Sequence, residues 1–403
     1  MTSRSALITP RPGGSPLGGR SSLQFEALPP LSLYIHIPWC VRKCPYCDFN
    51  SHEARGELPD DEYVAALLLD LEAALPRVWG RQVLTVFIGG GTPSLISVRA
   101  LDALLAGVRA RLPLVADAEI TMEANPGTVE AEKFAGFRAA GINRLSLGIQ
   151  SFNDRHLKAL GRIHDAAEAR RAAELALRTF DNVNLDLMYA LPGQTPDESV
   201  ADIATAVAYA PQHLSAYHLT LEPNTYFHRY PPVLPDDDTA AEMQDALEAQ
   251  LAAAGYEHYE TSAFSRAGHR SKHNLNYWMF GDYLGIGAGA HGKISFKNNI
   301  LRESRTRQPK AYLAQAAAGA VIPESRDVTV AELPGEFMMN ALRLNQGFDL
   351  SLFAARTGIE LTHILATLDQ AEARGLLTRD HQRAMPTPLG RRFLNDLMQL
   401  FLD

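Results

Sequence analysis

The chain has 403 residues, and its 46% hydrophobic content allows two or three domains with a sizeable core. Its 46 acidic and 38 basic residues give a net charge of −8, which argues against nucleic-acid binding as the overall function. The sequence contains no run of about 18 apolar residues, so we expect no transmembrane segment. The 3 cysteines are odd in number and clustered, which suits a reducing compartment better than a disulfide framework. We therefore expect a cytoplasmic protein.

Residues 1–30 are rich in proline, glycine and serine, which predicts a disordered N-terminal tail. The tail is basic and acid-poor up to Glu26, as a transit peptide would be, but an amphipathic pattern is missing. A simple extension is the interpretation that we prefer.

Residues 31–225 alternate apolar strands with helices. The six predicted strands are Leu31–Ile37, Val83–Ile88, Glu119–Met122, Arg144–Ile149, Asn182–Met188 and Leu214–Leu219. A helix after each strand implies parallel pairing with right-handed crossovers. Six units fall short of a closed eight-strand barrel, so we predict an α/β fold with an open, TIM-like partial (β/α)6 barrel. Its polar motifs follow the C-terminal ends of the strands, where α/β barrels place their chemistry.

Residues 226–322 are predicted to extend the barrel, with one strand over Tyr256–Phe264. Residues 323–403 resemble a winged-helix-like α+β domain. Its predicted helices are Glu332–Leu342, Leu350–Thr357, Leu361–Arg374 and Pro388–Leu402, with a two-strand wing before the last. Helix Leu361–Arg374 has a mainly acidic face that would repel phosphate, so we expect a protein-contact or lid module and no nucleic-acid partner.

The only cysteines are Cys40, Cys44 and Cys47, in a C-x3-C-x2-C pattern. Three thiolates at this spacing can ligate three irons of a [4Fe–4S] cluster and leave the fourth iron open to a substrate or cofactor. A zinc site completed by Asp48 or His52 is an alternative, although structural zinc sites usually pair two CxxC knuckles and no second knuckle is present. A chance cluster of buried thiols is the other alternative.

The segments around the cysteines, Tyr34–Trp39 before them and Asp48–Asn50 after them, resemble the radical S-adenosylmethionine (SAM) superfamily. Within it they are similar to the anaerobic coproporphyrinogen-III oxidase-like family. In the dehydrogenase of that family a fourth cysteine stands where this chain has Phe49. That departure, together with the segment His273–Trp278, which matches the pattern HNxxYW, resembles the haem chaperone subgroup.

The resemblance implies a [4Fe–4S] cluster and SAM as cofactors, the cluster being held by the three cysteines. The positions that it implies for SAM binding are Tyr34, Tyr46, Gly90, Gly91, Thr92, Glu123, Gln150, Arg162 and Asp186. Their chemistry is suitable, because glycines let bare backbone approach a ligand, and a carboxylate can bind ribose hydroxyls or an amino group. Arg162 would pair with the methionine carboxylate.

His273 is implied to bind haem by offering an axial imidazole beside Tyr277 and Trp278, although these residues would equally suit an ordinary core.

The implied function is a haem chaperone that delivers haem to haem-requiring proteins, with respiratory, membrane-associated proteins among the expected acceptors. The alternative is a coproporphyrinogen dehydrogenase that uses a 5′-deoxyadenosyl radical, and a radical SAM enzyme with an unknown substrate is a third interpretation. No catalytic residue is predicted. Because Phe49 stands where the dehydrogenase has its fourth cysteine, it favours a haem chaperone that lacks dehydrogenase activity.

Overall fold

The computed structural model describes residues 23–128 and 131–402. The part of the predicted tail at residues 1–22 lies outside this range, as do residues 129, 130 and 403. Residues 23–30 were also assigned to the tail, but Leu23 and Phe25 are buried in a hydrophobic cluster with C-terminal residues. The Gln24 N–H donates to the Gly358 carbonyl at 3.1 Å. The two apolar side chains explain why this part of the tail packs against the protein.

Elements of the described residues are numbered in chain order. The strands are β1 Leu31–Ile37, β2 Trp39–Cys40, β3 His52–Glu53, β4 Val83–Gly90, β5 Leu114–Ala124, β6 Arg144–Gln150, β7 Val183–Tyr189, β8 His213–His218, β9 Glu257–Glu260, β10 Ala263–Ser265, β11 Asp282–Ile286, β12 His291–Ser295, β13 Ile300–Ser304, β14 Glu324–Asp327, β15 Phe348–Asp349, β16 Leu377–Arg379 and β17 Arg383–Pro386. The α-helices are α1 Asp60–Val78, α2 Val98–Arg111, α3 Ala131–Ala140, α4 Asp154–Ala159, α5 Ala166–Thr179, α6 Pro196–Ala208, α7 Tyr226–Arg229, α8 Asp237–Ala253, α9 Lys272–Trp278, α10 Pro309–Ala316, α11 Leu333–Ala341, α12 Leu350–Thr357, α13 Leu365–Ala373, α14 Pro388–Arg392 and α15 Leu394–Gln399.

The central sheet has 12 strands in the order β14-β13-β12-β11-β1-β4-β5-β6-β7-β8-β10-β9. Strands β1, β4, β5, β6, β7 and β8 are parallel neighbours in sequence order, and each connection between them contains at least one helix. This arrangement confirms the predicted partial (β/α)6 barrel. The strands at the two ends of the sheet do not pair with each other, so the sheet stays open.

The extension of the barrel differs from the prediction. Residues 256–264 form two strands, β9 and β10, because the chain turns at Thr261 and Ser262 and pairs back on itself. On the opposite side of the sheet, β11 pairs in parallel with β1 and leads into the antiparallel strands β12 to β14. Strand β11 was not predicted because it begins at an aspartate. The Asp282 carboxylate is buried, but it is neutralised by Lys293 and Arg81, each 2.8 Å away.

The C-terminal part contains helices and a three-stranded antiparallel sheet in the order β15-β17-β16, which confirms the predicted α+β character. Two predicted helices are interrupted. The segment from Leu361 forms a 3-10 turn before α13, and the final helix breaks at Phe393 into α14 and α15. No helix of the described residues is long and apolar enough to cross a membrane.

A buried ionic cluster joins helix α1 to the glycine-rich turn between β11 and β12. The Asp70 carboxylate accepts hydrogen bonds from the Arg305 guanidinium at 3.0 Å, the Tyr312 hydroxyl at 2.9 Å and the Gly287 N–H at 3.1 Å. Both charged side chains of the Asp70–Arg305 pair are almost fully buried, with 1% and 0% exposed. Removing Asp70 would leave the Tyr312 hydroxyl and the Gly287 N–H without their buried acceptor, and would leave Arg305 with Glu303 as its remaining buried ion-pair partner at 3.0 Å.

We therefore predict that Asp70→Ala lowers the free energy of unfolding by about 3–5 kcal/mol, measured by urea denaturation. Asp61→Ala is the matched control, because Asp61 lies on the same helix but pairs with Arg99 at the exposed surface. Equal losses in the two variants would show that the buried cluster is not what stabilises this turn.

Candidate functional site

The three cysteines lie on one loop after strand β1 and line a single cavity of about 400 Å³, called the first cavity below. Main-chain hydrogen bonds shape the loop, from the Cys47 N–H to the Cys44 carbonyl at 3.2 Å and from the Ala54 N–H to the Cys40 carbonyl at 2.8 Å. Burial raises the pKa of the Cys40 and Cys47 thiols. Three soft sulfur ligands therefore face one shared space.

The glycines after strand β4 hold this loop in place. The Gly91 N–H donates to the Ile37 carbonyl and the Thr92 N–H to the Trp39 carbonyl, both at 2.7 Å. A Cβ atom on Gly91 would lie 2.5 Å from the Trp39 carbonyl oxygen, so no side chain fits there. Gly90 has a positive φ of 116°, which glycine adopts readily, and its N–H points to the Glu123 carboxylate at 3.1 Å.

Two partly buried carboxylates line the first cavity together with the cysteines. Glu123 is on strand β5, and burial together with the nearby Asp186 raises its pKa to about 8. Asp186 is on strand β7, and burial also raises its pKa, although hydrogen bonds from Ser146 at 2.8 Å and Asn184 at 2.7 Å oppose that shift. At neutral pH the uncharged form of Glu123 therefore predominates in the ligand-free cavity.

Arg162 connects the cysteine loop to the barrel. Its guanidinium donates to the Gly148 carbonyl at 2.9 Å and approaches the Cys44 sulfur at 3.5 Å, while its Nε is buried without a hydrogen-bond partner.

Gln150 ends strand β6 with a positive φ of 67°, a conformation that costs about 1 kcal/mol or more in a residue other than glycine. Strained backbone of this kind is common at binding sites, and Gln150 lines the cavity.

Alternating inward-facing residues of three neighbouring strands form the rest of the wall. Those on the first cavity are Arg144, Ser146 and Gly148 on β6, Asn184, Asp186 and Met188 on β7, and His213, Ser215 and Tyr217 on β8. Of these, only Asp186 was singled out from the sequence. The signal that could have found the others is a polar residue at every second position of an otherwise apolar strand, because successive side chains of a strand point to opposite faces.

Arg144 is the least expected member of this wall. It is 2% exposed, and its Nε and Nη2 have no hydrogen-bond partner among the described residues. The positive charge of Arg144 acts on Asp186 in the same cavity, where it opposes the rise in pKa that burial causes.

The structure brings most of the predicted residues together. Those that line the first cavity are Cys40, Cys44, Cys47, Tyr46, Gly90, Gly91, Thr92, Glu123, Gln150, Arg162 and Asp186. Tyr34 and His273 are the exceptions, and both line a neighbouring cavity of about 520 Å³, the second cavity. Tyr34 was expected beside the cysteines, but its hydroxyl bonds to Nδ1 of His36 at 2.9 Å and its ring stacks near Phe87.

The second cavity has a largely aromatic lining. Its rings come from Tyr34, His36, Phe49, Phe87, His273, Tyr277, Trp278, Tyr283 and His291. Phe49, the residue in place of a fourth cysteine, is 60% exposed and lines both cavities. Glu123, Phe87, Gly90 and Asn274 are also shared, so the two cavities are separated by a thin wall.

His273 lies on the first turn of helix α9, where the Glu119 carboxylate accepts its N–H at 3.0 Å. The imidazole Nδ1 is 2.7 Å from the Thr85 hydroxyl, which donates its own proton to Ser32. Nδ1 is therefore the protonated nitrogen, and Nε2 keeps its lone pair. Nε2 is buried and has no hydrogen-bond partner within the described ranges.

The charge state of His273 is fixed by its surroundings. Burial, and secondarily the charge of Arg144, lowers its pKa to about 3. The ring is packed between Phe87 at 4.9 Å and Tyr277 at 5.1 Å between centroids. The imidazole is thus neutral at physiological pH, as a metal-ligating histidine must be.

Comparison with known proteins agrees with this architecture. The Radical SAM superfamily matches residues 34–206, which contain the cysteine loop and most of the barrel, and the HemN C-terminal domain matches residues 328–393. A solved structure of coproporphyrinogen III oxidase (HemN) from Escherichia coli superposes with a TM-score of 0.79 at 24% identity, covering 93% of this chain and 90% of that one. The fold and the site define a radical SAM protein with a HemN-type C-terminal domain.

Curated relatives narrow the assignment. The haem chaperone HemW of Escherichia coli (strain K12) is 53% identical over 380 residues, which are 93% of this chain and 99% of that protein. HemW of Mycobacterium tuberculosis (strain ATCC 25618 / H37Rv) is 36% identical over 97% of both chains, and HemW of Bacillus subtilis (strain 168) is 35% identical over 92% of this chain and 99% of that protein. The chain belongs to the HemW family.

The tight backbone contact at Gly91 yields a prediction. Gly91→Ala should displace the cysteine loop and lower the free energy of unfolding by about 1–3 kcal/mol, because the methyl group has no space. Denaturant unfolding and the labelling rate of the three thiols measure the two effects. Gly292→Ala is the control, since its added Cβ would meet its nearest atom at an ordinary 3.4 Å. Unchanged thiol labelling in Gly91→Ala would contradict the role given to this contact.

Proposed function

We propose that this protein is a haem chaperone, which binds haem in the second cavity and passes it to haem-requiring proteins. The observation that carries the proposal is His273 Nε2, a buried, unpaired lone pair on a neutral imidazole beside an aromatic cavity. Nine aromatic or imidazole rings give this cavity the apolar lining that a porphyrin requires. The HemW relatives support the same function.

We propose further that the first cavity holds a [4Fe–4S] cluster and SAM. The donor set fits a cluster, because Cys40, Cys44 and Cys47 are soft ligands that face one cavity and the described residues there include no fourth cysteine. When bound, the cluster would supply one-electron reduction of SAM. Glu123, Gln150, Arg162 and Asp186 would orient SAM through hydrogen bonds and charge.

A coproporphyrinogen dehydrogenase is the second candidate, because the polar wall that would hold SAM is intact. Phe49 weighs against it. Where the dehydrogenase has a fourth cysteine, this chain places an exposed phenyl ring at the junction of the two cavities. A ring at this position enlarges the apolar surface available to a porphyrin and supplies no thiol.

The SAM site predicts the behaviour of two variants. Glu123→Gln and Arg162→Ala should each weaken SAM binding by about tenfold to a hundredfold, equivalent to ~1.5–3 kcal/mol, with cluster content unchanged. Because the pKa of Glu123 is raised to about 8, its carboxylate forms as the pH increases, so wild-type affinity for the SAM cation should rise across that pH. The rise should disappear in Glu123→Gln.

Calorimetric titration with SAM between pH 6.5 and 9 tests this prediction. Glu132→Gln, on the exposed surface of helix α3, is the matched control. Wild-type affinity in both site variants would remove Glu123 and Arg162 from the SAM site.

The haem site predicts a spectroscopic change. His273→Ala should shift the Soret band and weaken haem binding by about tenfold or more, because the axial ligand is lost while the aromatic contacts remain. His291 is exposed and lines the same cavity, so the His273→Ala/His291→Ala double variant is the stricter test.

Absorbance titration with haem measures both quantities, and His381→Ala, an exposed histidine outside both cavities, is the control. An unchanged Soret band and affinity in the double variant would rule out this site.

A further inference from the structure

The second cavity contains one lysine or arginine side chain in its described lining, that of Arg307. This side chain is exposed, and its guanidinium makes no hydrogen bond or ion pair with the residues that the structure describes. Its two neighbouring arginines behave differently. Arg305 is buried against Asp70 and Glu303, and Arg302 pairs with Glu336 at 2.7 Å. Arg307 is thus the arginine of this segment whose charge is free for a ligand.

The backbone of Arg307 is held firmly although its side chain is free. The Asn50 amide donates to the Arg307 carbonyl at 2.8 Å and to the Ala288 carbonyl at 2.9 Å. Asn50 also fills the space beside Gly289, where a Cβ atom would come within 2.2 Å of its side chain. The loop after the cysteines therefore fixes where Arg307 stands at the mouth of the cavity, which lowers the entropic cost of using it for binding.

The charges around the mouth favour an anion. Asp48 and Glu123 line the same cavity, but no carboxylate of the described chain forms an ion pair with Arg307. An acidic protein, with a net charge of −8, thus presents an uncompensated cation at the edge of an aromatic cavity. This arrangement suits a ligand with a flat apolar body and an anionic edge.

We propose that Arg307 binds a propionate carboxylate of the haem and so makes the second cavity selective for porphyrins with free carboxylates. The inference rests on the proposed function. Guanidinium matches a carboxylate in planar, bidentate geometry, and it stays charged at all relevant pH values. His273 would hold the metal and the rings would hold the macrocycle, while Arg307 would recognise the edge that distinguishes haem from an uncharged iron porphyrin.

The test changes the Arg307 side chain and, separately, the carboxylates of the ligand, and it uses the full-length reconstituted protein. Haem and haem dimethyl ester, in which the carboxylates are masked, are each titrated by Soret absorbance against wild type, Arg307→Ala, Arg307→Lys and Arg374→Ala. Arg374 is an exposed arginine outside both cavities and serves as the control. Because Arg307 is exposed and screened by water, we expect about a three- to tenfold loss of haem affinity in Arg307→Ala, and a smaller loss in Arg307→Lys.

Haem dimethyl ester distinguishes carboxylate recognition by Arg307 from packing of the macrocycle in the second cavity. Wild type should bind the ester about three- to tenfold more weakly than haem, and Arg307→Ala should bind the two ligands equally. An equal loss for haem and ester in Arg307→Ala would mean that the arginine only supports the cavity, and no loss with haem would also overturn the inference. With either of these results, normal haem binding by wild type would still support the proposed haem-chaperone function. Failure of wild type to bind haem would contradict both that function and the role of Arg307.

Discussion

The main-chain contact between Gly91 and Trp39 is the constraint on which the site depends. A bare backbone at Gly91 lets the end of β4 approach the cysteine loop closely enough for two hydrogen bonds of 2.7 Å. The loop is thereby held over the C-terminal ends of the parallel strands, where the Arg162 guanidinium meets the Cys44 sulfur and the acids of β5 and β7 face the same space. Without that approach the sulfur ligands and the polar wall would be separate features.

The two cavities differ in chemistry and share a wall. The first contains buried charge, including an unpaired Arg144, and the second is mainly aromatic with a neutral imidazole. Glu123 contributes to both, and it is also hydrogen-bonded to Gly90 of the glycine turn. A ligand that changes the charge of Glu123 in one cavity therefore changes the electrostatic environment of the other. This shared wall gives a physical reason why a haem-binding cavity would be built beside a radical SAM site.

The periodic parts of the fold were predictable from sequence, and so was much of the site. Apolar strands followed by helices indicated the six parallel units, and motifs at strand ends indicated part of the lining of the first cavity, including Glu123 and Asp186. Strand β11 was missed because its buried Asp282 relies on Lys293 and Arg81, partners that are distant in sequence or in a later strand. Arg144 and His213 were missed because each begins its strand, whereas the motifs that we used lie at the strand ends. That Tyr34 lines the second cavity could not be predicted, because adjacency in sequence does not tell on which side of a shared wall a side chain lies.

We propose that haem delivery is the function of this radical SAM core. This proposal is tested most directly by anaerobic reconstitution with iron and sulfide, followed by two assays on the same sample. We predict that protein carrying a [4Fe–4S] cluster binds haem stoichiometrically, transfers it to a haem-free acceptor protein, and leaves coproporphyrinogen unchanged when SAM and a reductant are present. Decarboxylation of coproporphyrinogen over many turnovers, without retention of haem, would contradict it.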